Sequence, residues 1–161
     1  IEVLKNFDTI LTNKDIYCFE MPDQIMTGVM ISQKKSDIIF EYLKHYDKLK
    51  FKNEDGTPNL IPNTKFFTSL LISKGLVLNN KRQIIENNIE IFPNEYFCAY
   101  DMQNCRFEIT KNTYTVHHYT GSWNDGKKKV RKNIKRFFSK ILGKKLYEKI
   151  RLIKKKIIKK K

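Results

Sequence analysis

Two adjacent histidines, His117 and His118, are the residues whose type and setting most favour chemistry in this sequence. They end the β-prone run Thr113–Val116 and precede a small-residue turn and Trp123, the only tryptophan. Neutral imidazole is a common metal ligand, and histidine titrates near neutral pH. Successive strand residues point to opposite faces, so one histidine can reach a metal or phosphate while the other packs. Two histidines satisfied by hydrogen bonds within the body fit the same spacing.

A second candidate is the helix start at Ile61–Thr64, where free backbone N–H groups suit an anion or a sugar hydroxyl. Simple N-capping by Asn63 or Thr64 is the alternative. The segment Phe92–Phe97 places three aromatic residues around a proline, which can stack on sugar rings but is more typical of a core. The sequence contains no P-loop, dinucleotide-binding or nucleophile-elbow pattern.

Several elements must position these residues. Short apolar runs predict strands, and capping and turn residues predict helices that begin at Ser36–Asp37 and span Lys65–Lys74, with Gly75 as the stop. The alternation of strands and helices indicates an α/β fold with a small sheet. The predicted strands are Ile16–Phe19, Ile25–Ile31, Leu76–Leu78, Ile89–Phe92, Phe107–Ile109 and Tyr114–Tyr119.

The length of 161 residues and the hydrophobic fraction of 40% fit one domain with an ordinary core. Cys18, Cys98 and Cys105 are odd in number and form no close pair, which indicates reduced cytosolic thiols. No apolar run approaches the roughly 18 residues of a membrane span, and no signal-peptide pattern begins the chain. Because the first residue is Ile1, we expect the chain to begin inside a longer reading frame or after processing.

The positive charge is concentrated at one end. Residues 127–161 hold 18 of the 32 Lys and Arg residues and one of the 17 acidic residues, so this segment carries +17. Residues 1–126 therefore carry −2. The sequence predicts a near-neutral body, residues 1–126, followed by a cationic tail, residues 127–161.

The tail has an apolar stripe at helical spacing, interrupted near Gly143. This pattern predicts a basic amphipathic helix that lies on an anionic membrane. Nucleic acid would use the same charges but needs no such stripe, so the pattern favours the membrane and disfavours nucleic acid. The stripe comprises Val130, Ile134, Phe137, Phe138 and Ile141, then Leu146, Ile150, Ile153 and Ile157. The predicted membrane-binding residues are Phe137, Phe138, Ile141, Lys144 and Lys145.

Four pieces of the sequence, taken in order, resemble the carboxyl-terminal part of the Asp-x-Asp glycosyltransferases of family 32, which include bacterial capsular polysaccharide enzymes. The first resembles the stretch that follows the family's Asp-x-Asp, the second the middle of the bacterial members, and the last two resemble its Ile-Tyr-Pro-x-x-Tyr-Phe segment and its closing signature. The pieces are Ile1–Asp8; Asn53–Gly56 with Pro62–Thr64; Ile91–Phe97; and Thr110–His118 with Gly121, Ser122 and Trp123.

The resemblance implies a partial GT-A fold, Rossmann-like, that transfers sugar from a nucleotide-sugar donor to a polysaccharide or lipid-linked glycan acceptor. It implies Mn²⁺ or Mg²⁺, which neutralises the leaving diphosphate. His118 or His117 would lie beside metal and diphosphate, with His118 preferred. The donor or sugar pocket would include Asn63, Thr64, Ser122 and Trp123. The implied location is cytoplasmic, at the inner membrane face.

The sequence departs from the family in having no Asp-x-Asp. We therefore expect the motif to precede Ile1 and the chain alone to be inactive. The alternative is a non-enzymatic module that binds a membrane or nucleic acid through the cationic tail.

Overall fold

The computed structural model describes residues 1–86, 88–102, 104–119 and 126–159, apart from the side chains of 126–129, 132 and 155–159. The described residues form helices and mixed sheets, so the α/β class is confirmed. The strands are β1 (Glu2–Val3), β2 (Asp15–Met21), β3 (Gln24–Ile25), β4 (Gln83–Ile85), β5 (Ile89–Phe92), β6 (Tyr100–Asp101), β7 (Arg106–Phe107) and β8 (Thr115–Val116). The helices are α1 (Asp37–Tyr46), α2 (Asn63–Ser73) and α3 (Gly126–Lys159).

The main sheet has four strands in the order β3-β2-β5-β4. Its centre is the parallel pair β2 and β5, in which Asp15 lies opposite Ile89 and Cys18 opposite Phe92. The outer pairs are antiparallel. Two small antiparallel ribbons, β1 with β8 and β6 with β7, complete the strand pairing of the described residues.

Strand β2 contributes to two separate hydrophobic cores, one on each face of the sheet. Tyr17 and Phe19 pack with residues of α1 and α2, while Ile16 and Cys18 belong to the second core. Side chains alternate between faces in a strand, so a strand covered on both sides needs apolar residues at every position. This explains why the continuous apolar run at 16–19 predicted the strand correctly.

The helix signals were largely confirmed. Ser36 is the N-cap of α1, and its Oγ accepts a hydrogen bond from the Ile39 N–H at 3.4 Å. Helix α2 begins at Asn63, two residues before the predicted start, and Gly75 follows its end with a φ of 100°. That left-handed conformation favours glycine, since it has no Cβ.

The prediction of a strand at Leu76–Leu78 was wrong. This segment is a loop after Gly75, and Leu76 is buried in the first core without joining a sheet. The Gln83 side chain binds the backbone N–H and C=O of Val77 at 2.9 Å each, so a side chain replaces a strand partner. The strand that follows is β4, which the sequence did not indicate.

Other predicted strands are shorter than expected. The run Ile25–Ile31 has only Ile25 in β3 and an isolated bridge from Ile31 to Ile16, because a bend at residues 27–29 interrupts it. Of Phe107–Ile109 only Phe107 lies in a strand, and of Tyr114–Tyr119 only residues 115–116 do. Ile25, Met26 and Val116 of these runs are buried without extending the sheets, whereas Phe107 and Ile109 are exposed.

Candidate functional site

The histidine pair follows β8, whose register with β1 places Glu2 opposite Val116. The first and last of the four sequence pieces therefore meet in one ribbon, although more than a hundred residues separate them. His118 Nε2 lies 2.7 Å from Glu2 Oε2, and this contact is an ion pair whenever the imidazole is protonated. The backbone C=O of His118 accepts a hydrogen bond from Arg136 at 2.9 Å.

His117 has different surroundings from His118, although both residues lie after the end of β8 and not in a regular strand. Its ring packs edge-on against Tyr119 with a centroid distance of 3.9 Å. It also lies 3.4 Å from the position that a Cβ on Gly28 would occupy. His117 thus packs against the loop after β3, while His118 contacts Glu2 and Phe107.

The described residues include no group of three or more His, Cys, Asp or Glu side chains that could hold a metal ion. The ligation of Mn²⁺ or Mg²⁺ beside His118 or His117 stays a prediction. Two other predicted site residues, Ser122 and Trp123, lie outside the described residues.

Asn63 and Thr64 are the first two residues of α2. The alternative that one of them caps the helix was wrong, because Pro62 occupies the cap position and no side chain caps the helix. The Asn63 Oδ1 accepts a hydrogen bond from the Thr27 hydroxyl at 3.2 Å, and the Thr64 hydroxyl accepts one from the Gln24 amide. Both side chains therefore connect α2 to β3 and the loop after it.

The loop after β3 brings the two predicted sites near one another. Thr27 binds Asn63, and the next residue, Gly28, lies against His117. The role of Asn63 and Thr64 in a sugar pocket stays a prediction, but their surroundings adjoin those of the histidine pair.

The aromatic segment around Pro93 is part of the core, as its composition favoured. Phe92 and Phe97 are buried in the second core, and Tyr96 packs against it. The rings of Phe92 and Phe97 are therefore not free to stack on a sugar.

The sequence did not predict a cleft with a volume of about 570 Å³. It opens at the carboxyl ends of the parallel strands β2 and β5, where ligands commonly bind in α/β sheets. Its far wall is formed by α3. Six carboxylates and one lysine line it: Glu20, Asp23, Glu95, Asp101, Glu108, Glu148 and Lys144. The sequence did contain one indication of this cleft, because the acidic residues Asp23 and Glu95 closely follow the two parallel strands.

Helix α3 packs against the body through its polar face. Ser139 is fully buried, and its hydroxyl donates a hydrogen bond to the Asn104 C=O. Arg136 donates to the Tyr100 hydroxyl at 3.2 Å and lies over the Tyr100 ring. Lys144 forms an ion pair with Glu108. A surface helix of a globular protein normally exposes its polar face to solvent, whereas the polar face of α3 is covered by the body.

Phe137 and Ile141 of the predicted apolar stripe lie on the side of α3 that faces away from Ser139. Phe137 and Ile141 are each two residues from Ser139, about 200° around the helix. The first part of the stripe is half or more exposed: Val130, Ile134, Phe137, Phe138 and Ile141. The described second part, Leu146, Ile150 and Ile153, is about half exposed.

The expected break in α3 is confirmed at Gly143, where φ is 71° and ψ is 165°. Within the described residues, no helix combines enough length with enough apolar character to cross a bilayer.

No family model, curated protein or solved structure matches this chain. The resemblance to the glycosyltransferases of family 32, and with it the GT-A fold, stays a prediction that depends on the sequence pieces described above.

Proposed function

We propose that this chain is the carboxyl-terminal part of a glycosyltransferase that works at an anionic membrane surface, with α3 as its membrane-binding element. The enzyme would transfer sugar from a nucleotide-sugar to a polysaccharide or lipid-linked glycan in surface polysaccharide synthesis. The membrane would be the inner leaflet, where such acceptors are exposed to the cytoplasm.

The observation that carries the membrane part is the orientation of α3. Its apolar stripe faces away from the body, while Arg136 and Ser139 hold the opposite face. Exposed basic residues, including Arg131, Lys135 and Lys140, lie beside the stripe. An apolar face with cations along its flanks is complementary to acyl chains below anionic headgroups.

The energies involved are sufficient for peripheral binding. Burying one Phe or Ile side chain contributes roughly 1.5–3 kcal/mol. Each lysine or arginine near an anionic leaflet contributes about 1 kcal/mol. The summed binding free energy of Phe137, Phe138, Ile141 and the neighbouring cations is therefore larger than the contribution of any one of these side chains.

The sugar-transfer part is supported by the resemblance and by how its pieces lie together. The pairing of β1 with β8 joins the first and last pieces, and Thr27 and Gly28 lie between Asn63 and His117. The proposed site would use His118 or His117 beside Mn²⁺ or Mg²⁺, with Asn63, Thr64, Ser122 and Trp123 around the sugar. In that site the cation would stabilise the leaving diphosphate as a Lewis acid.

The membrane part is tested by co-sedimentation of the purified chain with vesicles. We expect binding to phosphatidylcholine vesicles that contain phosphatidylserine and little binding to phosphatidylcholine alone. Phe137→Ser and Phe138→Ser should each weaken binding about tenfold. The matched control is Phe40→Ser on α1, another exposed phenylalanine.

Two outcomes would contradict membrane binding through the stripe. One is an equal effect of Phe40→Ser and Phe137→Ser. The other is binding of nucleic acid that both serine variants retain while vesicle binding is absent. The second result would favour the alternative of a nucleic-acid-binding module that uses charge alone.

The sugar-transfer part is tested separately. The reading frame before the Ile1 codon should encode an Asp-x-Asp, and the chain joined to that segment should transfer sugar with Mn²⁺. His118→Ala should lower that activity on the order of 10–100-fold, the range for residues beside a metal site. Unrelated sequence before Ile1, or full activity of the His118 variant, would contradict this part and leave membrane binding untouched.

A further inference from the structure

We propose that a pocket between strand β7 and helix α3 binds a phosphate monoester, the group that a soluble glycerol phosphate and some anionic lipid headgroups share. The pocket has a volume of about 390 Å³, within the usual range of small-molecule sites. Binding there requires neither burial of the apolar stripe in a membrane nor sugar transfer at the histidine pair. The lining residues are Cys105, Arg106, Phe107, Arg136 and Lys140.

The charge of the pocket is positive and uncompensated. Three cations line it and no carboxylate does. Within the described residues, none of Arg106, Arg136 and Lys140 forms an ion pair with an acidic side chain. A concave site with charges of one sign raises the local concentration of the opposite ion. Three such cations suit a doubly charged phosphate monoester better than a single carboxylate.

Arg106 points independently to an anion. Its side chain is partly buried, yet it makes no hydrogen bond, ion pair or ring contact with the described part of the chain. Asp101 lies opposite it in the ribbon of β6 and β7, but both oxygens of that carboxylate accept hydrogen bonds from Asn104, at 2.9 and 2.7 Å. A charged group that loses hydration without gaining a partner is costly. A phosphate oxygen would supply the missing acceptor.

Arg136 is held in position by neutral groups. Its Nε donates to the Tyr100 hydroxyl at 3.2 Å, and its Nη2 donates to the His118 C=O at 2.9 Å. The third nitrogen, Nη1, has no hydrogen-bond partner among the described residues. Lys140 follows one helical turn later on the same side of α3. The planar guanidinium groups of arginine match pairs of phosphate oxygens, so this arrangement suits a phosphate.

The pocket adjoins the apolar stripe of α3. Arg136 and Lys140 directly precede Phe137 and Ile141, whose side chains are 61% and 63% exposed. A phosphate in the pocket would therefore lie near apolar side chains, as a lipid headgroup lies near its acyl chains. A soluble phosphate monoester has the same charged group without the chains, so experiment can separate the two sources.

Cys105 provides a readout that is specific to the pocket. It lines the pocket and is partly exposed, whereas Cys18 and Cys98 are buried. The neutral reagent iodoacetamide should therefore alkylate Cys105 first in the folded full chain. Glycerol 3-phosphate should slow this alkylation at physiological ionic strength, because the bound ligand covers the pocket.

Two pocket variants and one control test the assignment. Arg106→Gln and Lys140→Gln should each raise the concentration of glycerol 3-phosphate needed for protection about tenfold, the loss of one charge-assisted hydrogen bond. The matched control is Lys149→Gln, which removes one positive charge from an exposed position of α3 outside the pocket. Each alkylation rate is compared with that of the same variant without ligand, since a lost cation alters the reactivity of the thiol itself. Far-ultraviolet circular dichroism checks that each variant is folded.

Vesicles identify the source of the phosphate. Phosphatidylcholine vesicles that contain phosphatidic acid are compared with vesicles that contain phosphatidylserine at equal surface charge. Stronger protection of Cys105 by phosphatidic acid, weakened by Arg106→Gln, would support a lipid headgroup in the pocket. Protection by glycerol 3-phosphate without that preference would support a soluble phosphate monoester.

Three results would overturn the proposal. The first is the absence of protection by both glycerol 3-phosphate and phosphatidic acid vesicles. The second is an equal effect of all three variants, which would assign the binding to the general charge of the cationic tail. The third is protection by a single-stranded oligonucleotide alone, which would assign these cations to nucleic acid. The vesicle sedimentation of Phe137→Ser tests the stripe separately, so failure of the pocket leaves that result unchanged.

Discussion

Phe67 in α2 and Phe137 in α3 are the same residue type on helices of one chain, yet Phe67 is fully buried and Phe137 is 61% exposed. The two cores of the body bury apolar residues of its helices and sheet, although Phe40 and Leu43 of α1 are exposed. In α3 the arrangement is the opposite, because its polar residues contact the body and its apolar stripe is exposed. The difference separates a residue that stabilises the fold from a residue whose apolar side chain is exposed to solvent.

The largest expected effect on stability is the contrast between truncating Phe67 and truncating Phe137. Phe67→Ala should lower the free energy of unfolding by about 3–5 kcal/mol, because it leaves a cavity in a closed core. Phe137→Ala should change it by no more than about 0.5 kcal/mol, as for other exposed positions. Urea denaturation of both variants measures the contrast, and a loss at Phe137 close to that at Phe67 would mean that α3 packs its stripe inward.

A smaller effect should follow from loosening α3. Arg136→Ala removes the hydrogen bonds to the Tyr100 hydroxyl and the His118 C=O. Hydrogen bonds to a charged group contribute about 1.5–3 kcal/mol. Their loss should make local opening of α3 easier, so amide hydrogen exchange in residues 130–142 should accelerate. Exchange in β2 and β5 should stay unchanged, since their protection comes from the cores. Equal acceleration throughout would show that α3 is part of the cooperative body.

The smallest effect concerns the ion pair between Lys144 and Glu108, which is exposed to solvent. The hydrogen bond to Glu108 raises the pKa of Lys144 above its ordinary value. The stabilisation is therefore complete below the ordinary lysine pKa and disappears as the pH rises through the raised folded value. Glu108→Gln should cost about 0.2–1 kcal/mol at neutral pH and low salt, the range for exposed pairs.

Salt and pH provide the check on this last prediction. The difference between the wild-type chain and Glu108→Gln should shrink in high salt, because exposed charges are screened. It should also shrink at strongly alkaline pH. A difference that is independent of both would indicate a packing role for Glu108 instead of an ionic one.

Local signals predicted a large part of the fold. The apolar run at 16–19, the Ser36 cap and the glycine positions 75 and 143 each depend on neighbouring residues, and the structure agrees with all of them. Leu76–Leu78 was assigned wrongly because an apolar run reports burial, and a loop residue such as Leu76 can be buried too. Strand β4 was missed because Gln83 gives no apolar signal, although its side chain organises the preceding loop.

The candidate sites also differ in whether they lie within one sequence segment or are built from distant residues. The sequence identified the histidine pair and the tail stripe, since both are short patterns within one segment. It could not give His118 its partner Glu2 or bring Gly28 against His117. It also missed the acidic cleft, whose walls come from residues far apart in the chain, from Glu20 to Glu148.

The sequence by itself determined the α/β class, the near-neutral body and the strongly basic character of the carboxyl-terminal segment. Composition and spacing are sufficient for these, because burial and helical periodicity act over a few residues. Only the tertiary structure decided which face of α3 meets the body and where the six carboxylates converge. Those outcomes depend on the pairing of β1 with β8, the parallel register of β2 with β5 and the polar contacts of Arg136 and Ser139, all between residues distant in sequence.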